Sequence, residues 1–171
     1  MDELHENEQY FFEKNTEIRL FNFLKEFENP CLLCAPKMGE IFARNAIKCS
    51  ILDIDKRFSN ISSFQYFDIT RPNWIAGNKF GIIFCDPPFF NIKLSQLLRA
   101  IKLLSQFDFS QFIFISYLVR RSQKFLNIFN SFNLKPSGFF PIYKYVEKCK
   151  RNKIEFYTNL PKELLNRLKI K

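Results

Sequence analysis

The sequence predicts a doubly wound α/β fold: a mostly parallel sheet with helices on both faces and an antiparallel end. Three observations predict it. Short apolar runs alternate with segments whose apolar residues recur at helical spacing. Acids or prolines close successive apolar runs. The last two apolar runs follow one another with no helix between them. The 171 residues suffice for one domain with its own core, and 23 Phe in a chain that is 47% apolar exclude a disordered polymer. The whole chain, 1–171, reads as that single domain.

The elements follow in order. Leu20, Phe23, Leu24 and Phe27 fall at i, i+3, i+4 and i+7, which predicts a helix over about 15–28, capped by Asn15 or Thr16 and stopped by Pro30. Residues 31–35 (CLLCA) form a short buried strand, and MGEIFARN a short helix. Strands follow at 48–54, 64–67 and 80–85, the last stopped by Pro87 and Pro88. Leu94, Leu97, Leu98, Ile101 and Leu104 mark a helix, 112–117 a fifth strand, and Phe125, Ile128, Phe129 and Phe132 another helix. Strands near 139–146 and 153–158 are expected to close the sheet as an antiparallel hairpin, ahead of a basic helix from Pro161.

Charge narrows the function classes. The net charge is +9, unevenly spread: residues 1–29 sum to −5, residues 30–143 to +8 and residues 144–171 to +6. So basic a body suits a polyanion such as RNA or DNA, and it equally suits lysines that solubilise a Phe-rich surface. The longest apolar stretch, broken at Ser116, is far short of the roughly 18 residues of a membrane span. The acidic start MDELHENEQ is unlike a secretory signal or transit peptide, so a cytosolic, nuclear or nucleolar protein is expected, with no membrane partner and no secretion. Cys31, Cys34, Cys49, Cys85 and Cys149 are odd in number, which argues against a disulfide framework. Cys31 and Cys34 have zinc-like spacing, but no second such pair exists and His5 is the only His, so they read as buried thiols and no metal is expected. His5, in a polar terminal segment, reads as a solvated residue.

In a doubly wound sheet ligands bind outside the carboxyl ends of the strands. Those ends carry Ala35, Pro36 and Lys37, then Asp53 and Asp55, then Asp68, then Asp86-Pro87-Pro88-Phe89. An acid ending the second strand can accept both hydroxyls of a ribose, and one ending the third can accept an adenine amino group. Each Asp taken singly also suits a cap on the following turn. The Asp86 turn is the sharper signal. Two prolines fix the backbone, and the carboxylate and a proline carbonyl can accept both hydrogens of one amino group. Phe89 offers a ring on which a base can stack. The set suits a planar amine whose lone pair is delocalised.

CDPPFF resembles the (D/N)PP(F/Y/W) motif of amino-group methyltransferases, the adenine-N6 type in particular. Gln9-Tyr10-Phe11-Phe12 with Thr16, LDIDKRF at 52–58 and FQYFD at 64–68 are similar to one branch of that family. The branch holds the CCHC-zinc-finger ribosomal-RNA adenine-N6 methyltransferase and the lysine methyltransferase of elongation factor 1-alpha. IEFYTNLP at 154–161 and LDID are closer to the RNA enzyme, KRF to the lysine enzyme. The resemblance spans about residues 9–161.

It implies a class I, Rossmann-like methyltransferase domain that uses S-adenosyl-L-methionine. By resemblance Gln9 and Phe12 cover the methionine end of that cofactor, and Ala35, Pro36 and Lys37 line the first loop. Asp53 binds the ribose, with Asp55 as the alternative, and Phe67 and Asp68 hold the adenine. Asp86, Pro87, Pro88 and Phe89 hold the target amine. The implied substrate is the N6 amino group of adenine in RNA, ribosomal RNA first, the alternative being lysine of elongation factor 1-alpha. Three departures stand out. No zinc-finger pattern accompanies the catalytic core, so a protein partner is expected to supply recruitment. The first loop reads CAPKMGE, with Gly39 its only glycine, and Phe90-Asn91 follows where relatives tend to have a small residue.

Overall fold

Successive side chains of a strand face opposite ways, and here both faces of the central strands are apolar. In the computed structural model, which describes residue 3 and residues 8–75, 79–147 and 149–169, these strands form one sheet. The strands are β1 (Cys31–Leu33), β2 (Ser50–Asp53), β3 (Phe64–Tyr66), β4 (Ile83–Cys85), β5 (Ile113–Leu118), β6 (Lys135–Pro136) and β7 (Ile154–Thr158). Their order is β3-β2-β1-β4-β5-β7-β6. The first five are mutually parallel; β7 runs antiparallel to β5 and to β6.

Helices α1 (Lys14–Leu24), α2 (Pro36–Arg44) and α5 (Lys162–Lys169) cover one face, and α3 (Leu94–Leu104) and α4 (Ser122–Ile128) the other. Leu32, Ile51, Phe84, Phe114 and Phe156 point into the first layer. There the rings of Phe84 and Phe114 both stack on Phe156, at 5.3 and 4.3 Å between centroids. Leu33, Leu52, Ile83, Ile115 and Tyr157 point into the second layer, against Leu97, Ile101 and Phe125. Among the described residues no helix is long and apolar enough to cross a membrane.

The doubly wound, mostly parallel sheet with antiparallel C-terminal strands matches the expectation, with local differences. α1 ends at Leu24 because Glu26 and Phe27 bond back only three residues, to Phe23 and Leu24, and Asn29 turns the chain at φ 44°. Neither Asn15 nor Thr16 caps α1: the helix starts at Lys14, and the Thr16 hydroxyl accepts from the N–H of Ile142. α2 begins two residues earlier than expected, with Pro36 in its first turn, where a missing N–H costs nothing. The strand expected near 139–146 is absent, and β6 lies earlier, at Lys135–Pro136. Gly138, at φ 74°, turns the chain out of the sheet, and Phe139 buries its ring beside Phe114 and Phe156. The backbone of 142–144 then pairs with the N-terminal segment: Glu13 N–H donates to Ile142 O and Lys144 N–H to Phe11 O. The antiparallel docking of β7 is clamped by the two residues that close it. Thr158 donates to Ile113 O, and Asn159 bonds both Ile113 N–H and Gln111 O.

Gly39 lies inside α2, and what it supplies is close approach. A Cβ there would sit 2.3 Å from Cδ1 and 2.4 Å from Cγ1 of Ile51, itself fully buried in β2. Helix and strand therefore touch through the missing side chain. Gly39→Val is expected to destabilise the fold by about 1–3 kcal/mol, the usual cost of overpacking. Denaturant unfolding checks this; a neutral result would mean that α2 slides freely on the sheet.

Candidate active site

The strand order reverses between β1 and β4, and a crevice opens outside their carboxyl ends. The chain leaves β1 through Cys34 at φ 54°, a conformation usually left to glycine, held by a bond from Cys34 N–H to Leu52 O. Ala35, Pro36 and Lys37 follow and line the crevice. The turn after β4 is tied to the same place, since Asp86 N–H donates to Leu33 O at 3.2 Å. Asp86, Pro87, Pro88 and Phe89 form one wall and Asp53 another. Residues 8–12 lie across the opening and line it as well.

Asp86 is the most constrained of these groups. Its Oδ1 accepts from the hydroxyl of Tyr143 at 2.6 Å and from that of Ser116. Among the described residues Oδ2 makes no protein hydrogen bond. Burial pushes the carboxyl up to about 7, and the two hydroxyls hold it from going higher. Tyr143 is in turn packed at 4.9 Å on the ring of Phe12, whose backbone pairs with it. Phe89 stands edge-on to Tyr117 at 5.8 Å.

Asp53 ends β2 and is 5% exposed. Its Oδ1 accepts the N–H of Asp55 at 2.7 Å. Burial raises its carboxyl to about 6, and the neighbouring Asp55 adds to the rise. Asp55, the alternative ribose acid, does not line the crevice. It caps the turn Lys56–Phe58 through Arg57 N–H and grips the Arg57 guanidinium with both oxygens, at 3.0 and 2.8 Å. Burial pushes it up, but Arg57 and Gln9 outweigh this and hold it below the usual range. Two residues on along the chain, it faces the other way, with its own cation. Gln9 lines the crevice with its amide held between Asp55 and Arg57. Lys37 also lines it, its ammonium paired with Glu40. Phe12 reaches it from the core.

Phe67 and Asp68 are not in this chamber. They line an adjoining one that shares Cys34, Ile54 and Pro88 with it. Asp68 Oδ1 accepts from Thr70 N–H and hydroxyl, at 2.8 and 2.7 Å. Two chambers meeting at Cys34 and Pro88 suit a bent ligand. Glu8 holds the N-terminal segment down: its carboxylate accepts the N–H groups of Phe90 and Asn91, at 3.0 and 2.6 Å. His5 lies outside the described residues. Sequence reasoning missed Ser116, Tyr143, Glu8 and the exposure of Cys34 to the crevice. Ser116 had a signal, as the lone serine inside the run FIFISYLV. Tyr143 had none.

Comparison with known proteins adds to this geometry. The family model described as "Probable N6-adenine methyltransferase" matches residues 3–162. The N-methyltransferase NodS of Bradyrhizobium japonicum WM9, solved in complex with S-adenosyl-L-homocysteine, superposes with a TM-score of 0.56 at 11% identity. The match covers 92% of this chain and 91% of NodS. A second structure of NodS gives 0.51 at 12% identity, over 85% and 93%. No curated protein matches the chain significantly in sequence.

The Asp86 carboxyl stands well above its unfolded value of about 3.9. The stability it lends is therefore full below that value and lost as pH rises through about 7. Asp86→Asn keeps an acceptor for the two hydroxyls without the charge. It is expected to stabilise the fold at pH 8 by about 2–4 kcal/mol and to be near neutral at pH 4. Melting curves at both pH values check this, and equal effects would contradict it. Tyr143→Phe removes a donor to the charged form, so the Asp86 titration followed by carboxyl-carbon NMR is expected to move upward by about 1–2 pH units.

Proposed function

Because the chain belongs to the N6-adenine methyltransferase family and is a methyltransferase, we propose that it moves the methyl group of S-adenosylmethionine to the N6 amino group of adenine in RNA, with ribosomal RNA as the expected class. The observation that carries this reading is the Asp86 carboxylate, fixed through Oδ1 by two hydroxyls and open at Oδ2, in a Pro-Pro turn that ends in an aromatic ring.

The residues of the crevice fit the cofactor. Asp53 is a buried acceptor at the carboxyl end of β2, suited to the ribose hydroxyls, and the chamber of Phe67 and Asp68 suits the adenine. The cofactor, when bound, supplies a methyl group already activated on a sulfonium. The chain's own work is then positioning. Oδ2 of Asp86 and the Pro87 carbonyl accept the amine hydrogens, which fixes the nitrogen and points its lone pair out of the ring plane. Phe89 stacks on the base, and Tyr10, Phe11 and Phe12 exclude water. The nitrogen gains a methyl and sheds one proton. A carboxylate pushed up to about 7 is matched to take that proton and return it to solvent.

Total RNA and elongation factor 1-alpha, offered together with methyl-labelled cofactor, test the reading. Label is expected in N6-methyladenosine and is lost with Phe89→Ala or Asp86→Ala. Label confined to protein lysine would replace adenine by lysine as the target. Asp53→Ala is expected to weaken cofactor binding by about 1–3 kcal/mol, measured by calorimetry, whereas Asp86→Ala largely spares it. Wild-type turnover is expected to fall as pH drops below about 7, since a protonated Asp86 no longer accepts from the amine.

A further inference from the structure

Phe89 borders three hollows, two of which matter here. One side borders the crevice beside Asp86; the other borders a groove between the turn after β4 and the first residues of α3 and α4. Lys93, Arg121 and Lys124 line this groove with Phe90, and no acid lines it. Arg120 lies at its lip. The guanidinium carbons of Arg120 and Arg121 stand 5.8 and 4.9 Å from the centroid of the Phe90 ring, and Phe90 is 58% exposed. Arg121 also donates to the Phe89 carbonyl at 3.3 Å, and Arg120 to the carbonyl of Arg151 at 3.0 Å. Among the described residues none of these four cations has an acidic partner.

The neighbourhood is basic by design of the sequence. Between residues 87 and 147 there are eight Lys or Arg and two acids, Asp108 and Glu147. Asp108 lies before the start of β5, at the opposite end of the sheet, and accepts from Ser110. Two acids stand on the other side of Phe90: Glu8, engaged with the N–H groups of Phe90 and Asn91, and Glu147, which lines the adjoining hollow with Phe89 and Phe90. Four like charges gathered without a counter-charge repel one another, so the arrangement gains only when an anion enters. Guanidinium forks match phosphate oxygens, and an aromatic ring beside them matches a base. Alternating phosphate and base is the pattern of a single strand.

We infer that Lys93, Arg120, Arg121 and Lys124 form the track for the phosphates that flank the target adenine. This rests on the RNA reading above. The strand lies along the groove, its neighbouring base meets Phe90, and the adenine turns over Phe89 into the crevice.

Fluorescence anisotropy with a labelled single-stranded RNA oligonucleotide, in a salt series, tests it. The full chain is expected to bind with a steep log–log salt dependence. Lys93→Ala/Arg121→Ala/Lys124→Ala is expected to flatten that slope by about 2, from about 0.7 per lost contact, and to weaken binding about 100-fold at 0.1 M salt. Lys93→Glu/Lys124→Glu, which leaves the Arg121 bond to the turn intact, is expected to weaken it at least as much per residue changed. Lys102→Ala/Lys135→Ala, at the other end of the sheet, is expected to bind as wild type. Calorimetry with S-adenosylhomocysteine confirms that each variant keeps the crevice. No RNA binding by the wild type, or an equal loss in the Lys102/Lys135 variant, overturns the track. Loss of an acidic protein substrate with RNA binding untouched overturns it in favour of a protein-docking surface. The outcome is separable from the target reading. Label in N6-methyladenosine with groove variants unaffected removes the track alone. Label in lysine with RNA binding lost in the groove variants removes the adenine target alone.

Discussion

One carboxylate oxygen joins three parts of the chain that are far apart in sequence. Oδ1 of Asp86, at the end of β4, accepts from Ser116 in the middle of β5 and from Tyr143 in the segment that has left the sheet. Tyr143 in turn pairs with Phe12, so the N-terminal segment, the site and the sheet become a single unit. A carboxylate held in this way is aimed before any ligand arrives. The arrangement carries a cost: burial lifts the carboxyl to about 7, and above that pH the fold bears a charge it would do better without. Holding such a group against its own desolvation is a stability–function trade of the usual kind.

The approach to the crevice is built with few glycines. The left-handed turn out of β1 is taken by Cys34, and Gly39, the single glycine of the segment CAPKMGE, serves helix–strand contact. Cys34 also floors both chambers, where a larger side chain would close the passage between them. A small thiol thus stands at the turn where nucleotide-binding folds usually place a glycine.

Charge is divided by place. Asp53, Asp68 and Asp86 gather at the strand ends, where they line the two chambers. Lysines and arginines gather across Phe89 from them. On the reading proposed above, the acceptors would meet the base and the cations its flanking phosphates, and the ring of Phe89 separates the two fields. A lysine substrate would meet the same cations as repulsion.

The alternation of apolar runs and the acids at their ends were legible in the sequence, because a parallel sheet delivers every carboxyl end to one edge whatever the details of packing. That is why Asp53, Asp86 and the residues around them line one crevice. Ser116 was missed although it left a trace, a serine within an apolar strand. The sequence did not distinguish Asp53 from Asp55, since the two are alike in spacing and only the path of the turn shows one to the crevice and the other to Arg57. It misplaced the strand near 139–146, which keeps one bond to β7 through the Phe139 carbonyl and whose residues 142–144 then bond to residues 11–13 instead of the sheet. Tyr143 had no local signal at all. Its partner lies 57 residues away, and a hydrogen bond of that kind exists only once helices and strands have packed and brought the two ends of the chain together over the same edge.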